Sequence, residues 1–183
     1  MRIISGKQKG RRITIPKGLP VRPTTDLIKE SLFNILNNHF CFSTLSVIDL
    51  FSGTGNIAFE FASRGAEAIH VVDKNLRCIK FINKISSSFN FSVNTHKIDA
   101  FKFLNKTTLN ADIIFADPPY NMEKDKFSEL IELVFKRGLL RENGLLIIEH
   151  SKHTDLSESE HQTFSKKYGG SVISFYRKSM DMN

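Results

Sequence analysis

A chain of 183 residues, 40% hydrophobic and 25% charged, has room for one sizeable core. Its two cysteines exclude a disulfide scaffold, and its mixed composition excludes a low-complexity or collagen-like chain. Lys+Arg 26 against Asp+Glu 19 leaves a formal charge of +7, which suits a polyanionic partner without requiring one. Met1-Arg2-Ile3-Ile4 lacks the apolar core of a signal peptide and no run approaches membrane-spanning length, so a reduced, cytoplasmic setting without a membrane is expected.

The first segment carries Arg2, Lys7, Lys9, Arg11, Arg12, Lys17 and Arg22, with no acid before Asp26. Ile3-Ile4 and Ile13-Thr14-Ile15 are β-type runs, and the stretch from Gly6 to Gly10 supplies turn chemistry between them. Residues 1–25 therefore read as a basic hairpin or arm that must pack on a main domain, residues 26–183, to hold its shape. A solvated terminus would not need the isoleucines. Lys7, Lys9, Arg11, Arg12 and Arg22 are the candidate nucleic-acid contacts.

A helix follows, capped by Thr24, Thr25 or Asp26, with Ile28, Leu32, Phe33, Ile35 and Leu36 on one face and an end near Asn37-Asn38. From there strand and helix alternate. Val47–Leu50 reads as a strand, Asn56–Arg64 as a helix stopped by Gly65, and Ala68–Asp73 as a second strand. Leu76, Ile79, Ile82, Ile85 and Phe89 mark a long amphipathic helix, Ser92–Ile98 a weaker strand, and Ala100–Leu104 a short helix. Asp112–Asp117 is the fourth strand and Phe127–Lys136 the next helix. Glu142-Asn143-Gly144 is expected to turn the chain into a fifth strand, Leu145–Glu149. Apolar strands separated by helices point to a parallel sheet covered on both faces. The last stretch differs: Gln162–Tyr168 and Ser171–Arg177 flank Gly169-Gly170 and read as a hairpin.

Gly53-Thr54-Gly55 sits between the first strand and a helix, where backbone N–H groups and a helix amino end face a ligand. Asp73 ends the next strand about 20 residues later, where a Rossmann-type fold places an acid on ribose hydroxyls. Gly53-Thr54-Gly55-Asn56-Ile57-Ala58 also satisfies the dinucleotide fingerprint, which keeps an NAD(P)-dependent oxidoreductase open. Asp99, at the end of the third strand, is equally suited to accept from an adenine amino group and to cap the helix at Ala100. Asp49 is either a ligand-side acid or the residue that orders the glycine loop. Cys41 and Cys78 have no zinc-type spacing, and His150 and His153 lack further ligands nearby in sequence, so no metal site is expected.

Asp117-Pro118-Pro119-Tyr120 follows the apolar run Asp112–Ala116. Two consecutive prolines force a stiff, extended exit from the strand. The exit presents a carboxylate, backbone carbonyls and one aromatic face. A planar base with an exocyclic amino group needs this set. The tetrad resembles the signature of S-adenosylmethionine-dependent methyltransferases acting on nucleobase amino groups, and Asp49-Leu50-Phe51 resembles their cofactor motif. Nothing in the dehydrogenase scheme explains the tetrad.

Arg2-Ile3-Ile4-Ser5-Gly6, Lys9-Gly10-Arg11, Arg22-Pro23-Thr24-Thr25-Asp26, Glu30-Ser31-Leu32-Phe33 and the late Tyr168-Gly169 narrow the match. Together with Asp49–Gly55 and Asp117–Tyr120, they resemble the bacterial 16S ribosomal RNA guanine 2-amino methyltransferases over essentially the whole chain. That resemblance implies a class I, Rossmann-like α/β fold: a mostly parallel seven-stranded sheet with helices on both faces, a C-terminal antiparallel hairpin and a small basic N-terminal arm. It implies S-adenosylmethionine held by Asp49, Phe51, Ser52, Gly53, Gly55, Asp73, Lys74, Asp99 and Ala100. Asp117, Pro118, Pro119 and Tyr120 would act on one guanine of the small ribosomal subunit or its assembly intermediate, with no metal and no obligate protein partner. Where family members carry Arg before the helix glutamate, this chain has Lys29, a change that matters if that residue touches phosphate. A DNA or other RNA amino-methyltransferase of the adenine N6 type and a non-catalytic RNA-binding domain of the same fold stand as alternatives.

Overall fold

The structure is a computed structural model describing residues 1–19 and 25–178; Arg22 lies outside the described residues. The chain divides into two compact units, Met1–Ala100 and Phe101–Asn183.

In the first unit, α1 (Asp26–Asn37) leads into β1 (Ser46–Leu50), α2 (Asn56–Ser63), β2 (Ala68–Asp73), α3 (Leu76–Phe89) and β3 (Val93–Lys97). Thr25 is the cap that α1 uses, its Oγ1 accepting from the Ile28 N–H at 3.3 Å. β1 pairs with β2, and β2 with β3, all parallel, from Ser46↔Ala68 to Asp73↔Lys97. Every residue of β1 is buried, although successive side chains face opposite sides of a sheet. Both faces of this strand are therefore covered, as parallel pairing requires. Phe33 of α1 meets Phe61 of α2 edge-on at 4.6 Å and Phe42 at 5.8 Å, an aromatic cluster capped by the Arg64 guanidinium 4.6 Å over Phe33.

The arm is a ribbon laid along α2. Ile3 N–H donates to Arg11 carbonyl at 3.0 Å, Gly10 N–H to Ile3 carbonyl at 2.9 Å and Ile13 N–H to Met1 carbonyl at 2.9 Å. It is a minimal pairing, with one bridge, Arg2↔Arg12, in place of two full strands. Ile3 and Ile13 are buried, so the isoleucines do anchor it. Gly6 makes the approach possible. At φ +82° its backbone lies so close to α2 that a Cβ would stand 1.9 Å from the Ser63 carbonyl oxygen.

The second unit holds most of α4 (Ala100–Lys106), then β4 (Ala111–Ala116), α5 (Lys124–Lys136), β5 (Leu140–Ser151), β6 (Gln162–Tyr168) and β7 (Ser171–Tyr176). β4 and β5 are parallel; β5 with β7, and β7 with β6, are antiparallel. Strand order across the seven-stranded sheet is β3-β2-β1-β4-β5-β7-β6. The fold is thus the expected Rossmann-like α/β sheet with an antiparallel end. One boundary is corrected. Glu142-Asn143-Gly144 does not precede β5 but lies inside it. Asn143 takes φ +61°, and the pairing with β4 slips between Ala111 and Ile113, so the turn chemistry makes an in-strand irregularity. Among the described residues no helix is long and apolar enough to cross a membrane, and no group of three or more His, Cys, Asp or Glu is placed to hold a metal.

Candidate active site

The glycine loop of the first unit is bent by three left-handed residues in five: Phe51 at φ +56°, Gly53 at +51° and Gly55 at +75°. Gly55 could not be replaced without strain, because a Cβ there would lie 3.0 Å from Ile82 and 3.2 Å from the Phe59 ring. Ser52 N–H donates to the Val72 carbonyl at 3.1 Å, and its hydroxyl donates to the same oxygen at 3.2 Å. Asp73 closes the loop. Its Oδ2 accepts from Gly53 N–H at 2.8 Å, and its Oδ1 accepts from Asn75 N–H at 2.7 Å. The sequence spacing that singled out Asp73 thus corresponds to a direct tie between the two strand ends. The neighbouring Lys74 is exposed.

Asp49 is buried in β1, and its Oδ2 accepts from Ala58 N–H at 3.2 Å. α2 has Gly55 as its cap, with no side-chain cap of its own, so Asp49 performs that task from the neighbouring strand. Burial pushes the Asp49 carboxyl up to about 8; the Ala58 N–H opposes the shift, and the negative charge of Asp73 adds to it. Burial, reinforced by Asp73, likewise lifts the Cys78 thiol to about 11. The Asp73 charge thus adds to both upward shifts, while Arg77 opposes the one on Cys78. Asp99 is half-buried immediately before α4, whose first residue, Ala100, is buried.

In the second unit, Asp117, Pro118 and Pro119 leave the carboxyl end of β4 without joining another element. Asp117 is half-buried, Pro118 buried and Pro119 exposed. The Pro119 carbonyl accepts from Met122 N–H at 2.9 Å, closing a turn around Tyr120. Tyr120 points outward, 43% exposed, with its Oη 2.8 Å from the Oγ of buried Ser171. Ser171 was invisible to the motif reading, being a lone serine after Gly169-Gly170. Its partner is far away in sequence.

Lys7, Lys9, Arg11 and Arg12 are all exposed along the ribbon, and the Arg11 guanidinium lies 5.5 Å over the Phe89 ring. What holds the ribbon was also missed. Glu60 of α2, 0% exposed, accepts from Ile4 N–H at 2.9 Å and Ser5 N–H at 3.0 Å; it also meets Arg64 Nε at 3.0 Å and Lys29 Nζ at 3.5 Å. Ser63 adds its hydroxyl to the Ser5 carbonyl at 2.6 Å and receives the Gln8 N–H at 3.0 Å. Lys29, 1% exposed, donates to the Arg2 carbonyl and to Asn56 Oδ1 at 2.9 Å. Burial lowers its pKa, a shift that Glu60 and Asp26 oppose. An ammonium this enclosed does not reach phosphate. Lys29 instead joins the arm to the first residue of α2.

The family model described as conserved hypothetical protein 95 matches residues 1–177. The Bacillus subtilis protein YlbH, described as a candidate rRNA methyltransferase, is 31% identical over 97% of this chain and 99% of its own. A protein of Buchnera aphidicola subsp. Baizongia pistaciae named ribosomal RNA small subunit methyltransferase D is 36% identical over 81% of this chain and 75% of its own. A solved Escherichia coli structure, yhhF, described as a candidate methyltransferase, superposes with a TM-score of 0.84 at 26% identity, covering 96% of both chains.

Proposed function

The chain belongs to the family described as conserved hypothetical protein 95, and from that membership we propose that it methylates the exocyclic 2-amino group of a guanine in 16S ribosomal RNA. The methyl donor is S-adenosylmethionine, and the substrate is the small ribosomal subunit or its assembly intermediate. The observation that carries this reading is the exit of β4: a carboxylate, two prolines and an outward tyrosine whose hydroxyl is tied to Ser171. An oxidoreductase has no use for that arrangement.

The glycine loop suits the donor. Asp73 uses two of its roughly four acceptor positions on Gly53 and Asn75, leaving capacity for ribose hydroxyls. Its carboxylate is an opposite charge for a cationic ligand placed beside it. Asp49, Phe51, Ser52, Gly53, Gly55, Asp73 and Lys74 would hold it, with Asp99 and Ala100 at the adenine. When bound, S-adenosylmethionine supplies an activated methyl group on a sulfonium.

The remaining chemistry belongs to the tetrad. Tyr120 stacks on a guanine swung out of its helix. Asp117 carboxylate and Pro118 carbonyl accept the two amino hydrogens, which draws the nitrogen lone pair out of conjugation and aims it away from the ring. Asp117 then takes the proton that the methylated nitrogen sheds and passes it to water. Positioning supplies most of the acceleration. Residues 1–25 act as the RNA-gripping arm, through Lys7, Lys9, Arg11, Arg12 and Arg22, and residues 26–183 as the catalytic domain. Two free cysteines, Cys41 and Cys78, are in keeping with a cytoplasmic location.

The test is to incubate the protein with labelled S-adenosylmethionine and separated small-subunit particles, large-subunit particles and DNA, and to map the labelled nucleoside. N2-methylguanine in small-subunit RNA is expected. Asp117→Ala should then slow single-turnover methylation by about 10²–10³, the usual effect of losing one preorganised electrostatic partner, while both affinities stay near wild type. Label in DNA or on adenine, or normal turnover by Asp117→Ala, would overturn the assignment.

A further inference from the structure

β6 is the last strand of the sheet, and its middle five residues, 163–167, are all exposed. In an antiparallel ladder, directly paired residues put their side chains on the same face, and so do residues two apart along a strand. The pairs Phe164↔Phe175, Lys166↔Ile173 and Tyr168↔Ser171 therefore place Phe164, Lys166 and Tyr168 in one row, on the face that Ser171 shares. Ser171 is the residue whose hydroxyl meets Tyr120. The row runs aromatic, basic, aromatic, and ends beside the tyrosine that the reading above gives to the target base.

Phe164 lies flat on Phe175, ring centroids 4.2 Å apart and planes 13° from parallel, yet it remains 40% exposed. A core phenylalanine would not keep so much of its ring in water. Lys166 is exposed between the two rings and Tyr168 is half-buried. Residues 162–178 contain Lys166, Lys167, Arg177 and Lys178 and no acid. Of the acids in the preceding loop, Glu158 meets Lys124 at 2.8 Å, Asp155 accepts from the Ser157 hydroxyl at 2.7 Å and Glu160 lies 3.7 Å from His161.

We propose that this row, Phe164-Lys166-Tyr168, is a second RNA-holding surface that grips the single-stranded nucleotides flanking the target guanine. The proposal rests on the methyltransferase reading for its choice of RNA. Aromatic faces stack bases whatever their sequence, and a lysine between them neutralises the intervening phosphate. Successive members of the row stand about 6.7 Å apart, two strand residues, which is about twice the rise per nucleotide of a stacked strand. The row thus fits an unstacked, spread strand rather than a duplex. An unstacked strand is also the form in which proteins commonly read RNA bases. The basic arm lies in the other unit of the chain, so the row would add contacts independent of it.

The experiment measures binding of a fluorescein-labelled single-stranded RNA oligonucleotide, and of its duplex, by anisotropy across a salt series. Phe164→Ala should weaken single-strand binding by about 5-fold or more, the loss that follows removal of one stacking platform, and leave duplex binding nearly unchanged. Lys166→Gln should reduce the salt slope by about one, as loss of one phosphate contact does. Ser165→Ala, on the opposite face, should do neither. Should Phe164→Ala disturb folding, Lys166→Gln still decides the matter. Single-strand binding and salt slope equal to wild type in Lys166→Gln would overturn the row. Failure of the methyl-transfer reading looks different: wild-type protein would label no small-subunit RNA, while the row's effects on single-strand binding would persist.

Discussion

Replacing Glu60 by glutamine tests whether one buried carboxylate organises the arm. In the native protein its two oxygens serve four donors: the backbone N–H groups of Ile4 and Ser5, Lys29 Nζ and Arg64 Nε. Glutamine keeps one oxygen and turns an NH₂ group toward donors, so at least two of the four lose their acceptor. It also strands the charge of Lys29, whose side chain is enclosed, while Arg64 retains its place over Phe33. Removing one member of a buried ion pair costs about 3–5 kcal/mol. Against a typical domain stability of about 5–15 kcal/mol, the variant should fold but with a much reduced margin. With a urea m-value of about 2–3 kcal/mol per molar, the unfolding midpoint should fall by about 1–2.5 M. The chain has no tryptophan, so the transition is followed by far-UV circular dichroism. Amide exchange at Ile4 or Ser5 should accelerate first, because the two bond to different carboxylate oxygens and glutamine keeps only one of them. Adding Lys29→Met should restore part of the loss by removing the stranded ammonium. A midpoint within about 0.3 M of wild type, or no recovery in the double variant, would refute the reasoning.

Asp49→Asn tests the raised carboxyl. The folded pKa of about 8 lies above the unfolded value near 3.8, so between these values the native state holds one more proton and wild-type stability falls as pH rises. The asparagine variant should match wild type near pH 4 and gain on it by up to about 1.4 kcal/mol per pH unit until about pH 8. A constant difference in unfolding midpoints at pH 5, 7 and 9 would contradict this. Ser171→Ala releases the Tyr120 hydroxyl, so kcat should fall severalfold and Tyr120→Phe should fall equally; near-additive losses in the double variant would show that the 2.8 Å contact does not orient the ring. Asp73→Ala should weaken S-adenosylmethionine binding by about 1–3 kcal/mol, read by calorimetry. Part of that loss comes from freeing the Gly53 N–H. An unchanged affinity would remove Asp73 from the binding site.

Local pattern determined much of this protein. The 2.0 and 3.6 periodicities, Gly65 after α2, the cap before Asp26 and the Gly169-Gly170 turn each act within a few residues. Strands β1 to β4 and helices α1 to α5 accordingly lie within a few residues of where the apolar spacing puts them. The exit of Asp117-Pro118-Pro119-Tyr120 from β4 and the tie from Gly53 to Asp73 were legible for the same reason, since both are set by fixed spacing along the chain. The start of β5 was misjudged because Asn143-Gly144 has turn chemistry by itself, whereas the strand runs on through it while its register with β4 slips between Ala111 and Ile113. Glu60 carried no motif, and Lys29 stood out only as a substitution that matters if it touches phosphate. Both are interior because the arm closes over α2 and replaces water with backbone N–H groups, a compensation that exists only once residues far apart in sequence meet. The same holds for Ser171 and for the Phe164-Lys166-Tyr168 row, whose shared face depends on the antiparallel register of β6 with β7. Secondary structure follows from neighbours in the chain, whereas charge burial, tethering and strand register follow from neighbours in space.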